Sequence, residues 1–338
     1  MKPTDFAKYL TEFLSVYLPT QKNVSRNTIY AYRDTFKLLL QYMQEGTKGR
    51  HIERITIRDL SSERLISFLS WLETERKCSI STRNQRLAAI HSFFRYVQGE
   101  DPTCIAHFQK ILMIPIKKAP KPIVEYLTPE AIKLLLEQAD KYTRKGRRDL
   151  ALMSVLYDSG ARVQELIDLR IGDIQLERPA IVTLTGKGNK TRKVPIMQAT
   201  AELLKSYIAE NKLYKTWNKD YPLFTNNQNH KLTKEGVAYI VSKYAATARK
   251  LSTFVPSRVN VHMFRHSKAM HLLQAGVNLV YIRDFLGHVD VKTTEIYARA
   301  DTETKRKALE NVHPEIIDSN LPDWRKDHAL LDWLSELK

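Results

Sequence analysis

The ten residues Ile114-Pro-Ile-Lys-Lys-Ala-Pro-Lys-Pro-Ile123 hold three prolines and three lysines, and no helix can run through them. Proline lacks the amide proton a helix needs, and its ring clashes with the preceding turn. The stretch therefore reads as an extended, basic connector. It divides a chain of 338 residues, a length that suits two domains of roughly 100–200 residues each. The expected organisation is a first domain over 1–116, a linker over 117–126, a second domain over 127–315 and a tail over 316–338.

Hydrophobic spacing fills in both sides. Phe6, Tyr9, Leu10, Phe13, Leu14 and Tyr17 follow the rule for one buried helix face. A second helix is predicted from Ser25, with Ile29, Tyr32, Phe36, Leu39, Leu40 and Met43 inside. A third spans Leu65 to Leu72, and a fourth Thr82 to Val97, packing through Leu87, Ile90, Phe93 and Phe94. No strand pattern competes, so the first domain reads as a helical bundle. The second opens at Thr128-Pro129-Glu130, with a capping threonine, a proline suited to the first helical position and an acid at the positive helix end. Helices are predicted near 129–140 and 146–158. Ile181–Leu184, Gly186-Lys-Gly-Asn-Lys190 and Arg192–Ile196 then read as a β-hairpin with a Gly/Asn turn. Helices resume near 199–212, 233–250, 262–275 and 278–286. The tail carries Leu330, Leu331, Trp333, Leu334 and Leu337 in amphipathic spacing. The fold class is mainly α with a small antiparallel β-sheet or hairpin: a helical bundle followed by an α+β domain.

Charge narrows the partner. A formal net charge of +17 attracts polyanions, of which nucleic acid is the commonest. Cys78 and Cys104 form no CxxC pair and suggest neither a metal site nor a disulfide framework, so a reducing interior is expected. The first eighteen residues lack a signal-peptide core, and no run of about 18 apolar residues predicts a membrane span. A cytoplasmic, nucleoid-associated protein is expected.

Several polar residues stand where a plain helix would not need them. Arg162 lies in Gly160-Ala-Arg-Val-Gln-Glu-Leu166, at a glycine break between helices. His262 and Arg265 lie one turn apart in Val261-His-Met-Phe-Arg-His266, on one face. His288 follows the helix-stopping Gly287. Tyr297 lies in Thr293-Thr-Glu-Ile-Tyr-Ala-Arg299, and Lys187 occupies the glycine turn. Singly, each fits a surface charge, a structural histidine or a half-buried ring. Together they fit attack on a phosphodiester. Two arginines and a lysine can stabilise the growing negative charge. Histidines can move protons near neutral pH, and a tyrosine hydroxyl can hold phosphorus covalently. Such a link keeps the energy of the broken bond, so no ATP, metal or other cofactor is expected.

The ordered motifs Gly-Ala-Arg-Val-Gln-Glu-Leu, Gly-Lys-Gly-Asn-Lys-Thr-Arg-Lys-Val-Pro, His-Met-Phe-Arg-His, Leu-Gly-His and Thr-Thr-Glu-Ile-Tyr-Ala resemble the tyrosine recombinase (phage integrase) family. The likeness is close from Thr128 to about Ala300. It is looser in the first domain, through Ser25-x-Asn27-Thr28-x-x-Ala31-Tyr32. It implies that Arg162 and Arg265 neutralise the scissile phosphate, that Lys187 protonates the leaving 5′ oxygen from its hairpin, and that His262 and His288 assist with phosphate contacts and proton transfer. It further implies that Tyr297 forms a 3′-phosphotyrosine and that Glu165 supports the site. Phe264 stands where the family often has leucine, and Lys268 is a candidate DNA contact. The resemblance also implies a clamp of two domains on double-stranded DNA with a specific core site. Four protomers would work on two duplexes, with C-terminal elements docking in trans.

In the first domain the candidate DNA readers cluster at two predicted helix starts: Asn27, Thr28, Tyr30 and Arg33, then Ser81, Arg83, Asn84 and Arg86. Helix starts suit phosphate, and Arg or Asn can reach base edges. The expected function is site-specific DNA cleavage and rejoining, for mobile-element integration and excision or for resolving DNA dimers. Two other readings are a type IB topoisomerase, which the motif spacing disfavours, and an inactive DNA-binding regulator, which would have no need of Tyr297.

Overall fold

The computed structural model describes residues 3–46, 52–120, 124–186, 188–213, 219–288 and 290–300, the side chains of Gly46, Lys292 and Arg299 excepted. The expected tail, Lys187 and linker residues 121–123 lie outside the described residues. Contacts divide the chain into two compact units, one ending at Pro122 and the other beginning at Ile123.

The first unit is all helical in its described residues. Helix α1 (Asp5–Glu12) runs directly into a π-helical stretch, Phe13–Gln21, that contains Pro19. Helices α2 (Arg26–Gly46), α3 (Ser62–Thr74), α4 (Ile80–Glu100) and α5 (Ile105–Leu112) follow. Helix α4 is the centre of the unit and packs against α2, α3 and α5. Its Leu87, Ile90, Phe93, Phe94 and Val97 are fully enclosed. Phe93 meets Phe6, Phe13 and Phe36 with ring centroids 5.0–5.9 Å apart, in edge-to-face geometry. Helices α3 and α4 extend past their predicted bounds at both ends, starting earlier because Ser61 and Ser79 cap them. Helix α5 was not predicted; its single buried face, Phe108 and Ile111, is too short to show a period.

In the second unit Thr128 caps α6 (Pro129–Glu137) by accepting from the Ala131 amide, as the sequence suggested. Helix α7 (Arg144–Ser159) carries the most apolar stretch, with Leu150 to Leu156 inside. It ends on Gly160 in the left-handed region, φ 57°. The short α8 (Val163–Asp168) follows at once. The expected small antiparallel sheet has three strands, a short first strand and then the hairpin: β1 (Ile174–Gln175), β2 (Ile181–Thr185) and β3 (Thr191–Pro195), in that order. Val182 opposes Val194 and Leu184 opposes Arg192. The β2–β3 turn has positive φ at Gly188 and Asn189, which suits those residue types.

Helices α9 (Gln198–Glu210), α10 (Lys234–Leu251), α11 (Val261–Gln274) and α12 (Leu279–Leu286) lie within a few residues of their predicted bounds. The last described helix, α13 (Glu295–Ala300), holds Tyr297. Ala269 and Met270 of α11, Ile282 and Leu286 of α12, and the Tyr297 ring form a small separate core. Among the described residues no helix is long and apolar enough to cross a membrane.

Candidate active site

Three chain reversals build the site. Arg162 stands between Gly160 and the first turn of α8. Its backbone amide donates to Glu165 Oε2 at 2.9 Å and its Nη1 to Oε1 at 2.7 Å. The carboxylate thus sits at the positive end of α8, where its charge is favoured. From β3, Arg192 closes on the same group with two bonds, Nη1 to Oε1 at 3.0 Å and Nη2 to Oε2 at 2.8 Å. Glu165 is only 3% exposed. Burial pushes its pKa up, but the bonds from Arg192 and Arg162 outweigh that and hold it at about 2. Arg192 Nε also donates to the Phe285 carbonyl at 2.9 Å, which ties the sheet to the end of α12.

Arg265 is 1% exposed, among the most deeply enclosed large side chains of the chain. Its Nη1 donates to the Gly160 carbonyl at 2.8 Å and its Nη2 to the Leu286 carbonyl at 2.7 Å. These carbonyls close α7 and α12, so the cation lies where two helix C-termini leave unsatisfied acceptors and partial negative charge. Burial, then the repulsion of Arg162 and Arg192, lower its pKa to about 9, which leaves it charged at neutral pH.

The histidines surround Tyr297. His262 shares the face of α11 with Arg265, and His266 follows one turn later with ring centroids 4.5 Å apart. The Tyr297 hydroxyl and His266 Nδ1 are 2.9 Å apart. The His288 ring lies parallel to the tyrosine, 9° and 6.4 Å between centroids, and its Nδ1 is 2.9 Å from the Thr294 hydroxyl. Burial, with nearby cations, lowers all three histidines, His266 and His288 to about 4, so these imidazoles are neutral at pH 7. Burial raises Tyr297 despite the opposing pull of Arg265 and Arg162, so it holds its proton. Beside this group opens a cleft of about 880 Å³ lined by Arg162, Lys190, Arg192, Arg283 and His288, with Asp284 and Asp290 also on its wall. Its four cations outnumber the two aspartates, with Arg162 and Arg192 sharing Glu165 and Arg283 paired with Asp284.

The structure brings Arg162, Glu165, His262, Arg265, His288 and Tyr297 together from α8, α11, α13 and the end of α12. Arg192 and His266 were missed, though both had a signal. Arg192 lies two residues before the inward Val194, so strand alternation turns it inward. His266 lies four residues after His262 on the same helix face. Other candidates are spent internally. Arg83, expected at the surface, is 4% exposed and donates to Asn84 Oδ1 and the Pro115 carbonyl, both at 3.1 Å. Asn84 Nδ2 binds the Lys117 carbonyl at 2.8 Å, so it anchors the start of the connector. Arg86 reaches the Ala31 carbonyl at 2.9 Å, joining α4 to α2. Lys268 pairs with Asp158 at 3.4 Å and lies over the Tyr157 ring. Asn27, Tyr30, Arg33 and Ser81 are exposed and Thr28 partly so.

Gly287, at φ 65°, lets the chain turn from α12 to His288, and a Cβ there would lie 3.0 Å from Arg192 Cδ and Nη1. Gly287→Ala is expected to destabilise the second unit by about 1–2 kcal/mol from the left-handed backbone alone. Cleavage should fall with it, because Arg192 must shift against the new methyl group while it holds Glu165. An unchanged melting temperature would show that alanine is tolerated in the left-handed backbone at this position.

The fold and this cluster define a tyrosine-type DNA strand transferase. Residues 125–304 match the phage integrase family and residues 10–100 its N-terminal SAM-like domain, and the chain belongs to that family. It is 34% identical to a Sinorhizobium fredii protein named as an integrase/recombinase, y4rC, over 99% of both chains. It is 31% identical to the tyrosine recombinase XerC of Thermodesulfovibrio yellowstonii, over 90% of this chain and 96% of that one. Among solved structures, the XerH site-specific recombinase in a post-cleavage complex with its difH substrate superposes with a TM-score of 0.68 at 21% identity, covering 89% of this chain and 94% of that one. The Tn1549 transposon integrase with transposon right-end DNA gives 0.69 at 18%, covering 90% and 99%. The protein is a site-specific tyrosine recombinase, and neither the topoisomerase nor the inactive-regulator reading is favoured.

Proposed function

We propose that Tyr297 is the nucleophile of this recombinase and that the scissile phosphate enters the adjoining cationic cleft. The observation that carries this is the convergence of Arg162, Arg265, His262 and His288 on one tyrosine. Arg162 and Arg265 offset the charge that grows on the phosphate oxygens. Neutral His262 and His288 donate to those oxygens or pass protons. Lys187, next to the cleft-lining Gly186, protonates the leaving 5′ oxygen. Glu165 orients Arg162 and Arg192.

The substrate is double-stranded DNA with a specific core site, as the relatives solved with DNA suggest. In the first unit Asn27, Thr28, Tyr30, Arg33 and Ser81 face the duplex, while Arg83, Asn84 and Arg86 there, and Lys268 in the second unit, serve the protein's own packing. Four protomers act on two sites, and the amphipathic 330–337 segment docks on a neighbour. The setting is the nucleoid, for mobile-element movement or dimer resolution.

A duplex nicked near the cleavage position tests this. Loss of the short 5′ fragment should trap the protein on DNA, the adduct should survive denaturing gels, and peptide mapping should place it at Tyr297. Mapping to any other residue would remove the assignment. The charge of +17 carries its own expectation. If the protein neutralises on the order of 8 phosphates, affinity should drop about 10³–10⁵-fold between ~50 and ~200 mM salt. Titrations that show salt-independent affinity would count against a DNA surface of this kind.

A further inference from the structure

A buried tyrosine hydroxyl needs a partner, and the identity of that partner matters when the hydroxyl is the reacting atom. Tyr297 is 1% exposed, and the polar atom recorded at its hydroxyl among the described residues is Nδ1 of His266, at 2.9 Å. His266 also lies against His262, ring centroids 4.5 Å apart, one turn along the helix from Arg265. A row of two imidazoles therefore joins the phenol to the phosphate-binding side of α11. His262 and His288 have places in the scheme above; His266 has none.

We infer that His266 is the catalytic base that receives the phenol proton of Tyr297 during strand cleavage; this rests on Tyr297 being the nucleophile. In the step, the bond from the Tyr297 oxygen to phosphorus forms while the bond from phosphorus to the 5′ oxygen breaks. The phenol proton passes to His266 Nδ1. The 5′ oxygen leaves with a proton from the general acid, a lysine ammonium in the reading above. Rejoining reverses each transfer, and His266 returns its proton to the tyrosine oxygen.

In the ground state both shifts keep the proton on the phenol, so transfer to His266 needs the charge of the bound phosphate. Burial, then the neighbouring His262 and Arg265, hold His266 at about 4, so its ring is neutral, and in the Nε2–H tautomer Nδ1 has a lone pair to offer. Burial keeps the phenol protonated. In that tautomer the hydrogen bond runs from hydroxyl to imidazole. Negative charge gathering on the phosphate then favours the imidazolium that forms. The groups set around His266 are His262 and Arg265 on α11 and Tyr297 on α13, with His288 and Arg162 beyond them. Titratable groups on neighbouring helices are engaged elsewhere: Tyr157 of α7 with His271, Asp158 with Lys268, and Tyr244 of α10 with Asp149.

The test uses the full chain, the nicked duplex and two variants. His266→Asn keeps an acceptor but cannot take up a proton; His266→Phe keeps the ring volume and removes both functions. Both should bind the duplex within about threefold of wild type. Both should slow single-turnover trapping at pH 7 by roughly 10²–10⁴-fold, the usual worth of a general base. The deficit should shrink as the pH rises from 7 to 9.5, because a phenol that ionises by itself needs no base. An Asn variant as fast as wild type would show that the hydrogen bond alone suffices, and a deficit independent of pH would show a structural role; either overturns the proposal. A wild-type adduct at a residue other than Tyr297 overturns the nucleophile reading instead, and peptide mapping separates the two failures.

Discussion

Tyr297→Phe is expected to eliminate covalent trapping on nicked duplex and all strand exchange, while DNA affinity stays within a few-fold of wild type. The substitution removes one oxygen. The ring continues to pack among Met270, Ile282 and Leu286 and beside His288, so α13 keeps its place. The cost is a lost hydrogen bond to His266 Nδ1, about 1–3 kcal/mol if that nitrogen stays dry and unpaired. No other hydroxyl takes over, since the neighbouring Thr294 hydroxyl is engaged with His288 Nδ1 at 2.9 Å. Adduct yield and gel-shift affinity, measured on the same preparation, separate chemistry from binding. Residual trapping above background by the Phe variant would mean that another side chain attacks.

Parts of this site were legible because local chemistry alone dictates them. Arg162 sits at a glycine break, His262 and Arg265 one turn apart, and His288 just after a helix-stopping glycine. Those offsets fix faces and helix ends regardless of the rest of the chain. The helices of the bundle were legible for the same reason: Phe36, Leu39 and Met43 repeat with helical period and are buried. Short elements were not. Two-residue β1, six-residue α8 and eight-residue α5 are too brief for a period to emerge, and they exist because the surrounding core holds them. Charge was hardest to place where a distant partner decides its role. Arg83 has its acceptor at Pro115, Lys268 at Asp158 and Arg192 at Glu165, separations that no local pattern encodes. A basic residue at a helix start looks the same in sequence whether it faces a phosphate or a buried carbonyl.

Glu165→Gln is expected to be the most destabilising single change at the site that touches no substrate. The carboxylate accepts from Arg162 and, through both oxygens, from Arg192, while 3% exposed. The amide keeps the shape but loses the charge and turns an acceptor into a donor facing a guanidinium. Breaking a buried ion pair from one side typically costs about 3–5 kcal/mol. The magnitude has a pH signature. The folded-state pKa of Glu165, about 2, lies below the roughly 4.3 of an unfolded chain, so the ionised group adds stability that is complete above that value. That stability fades as the pH falls towards 2, when the folded protein too must take up a proton. The drop in pKa corresponds to roughly 3 kcal/mol. Glutamine does not titrate, so the gap between wild type and variant should be widest near pH 7 and narrow steadily below pH 4. Hydrogen exchange of the α8 amides, compared between the two proteins at matched pH, reads that gap directly. The cleavage rate of the variant should also fall, since Arg162 loses the anchor that aims it at the phosphate, and Arg192 loses its hold between β3 and the end of α12. A gap that stays constant from pH 7 to pH 3 would show that the stability comes from packing rather than from the ionised carboxylate.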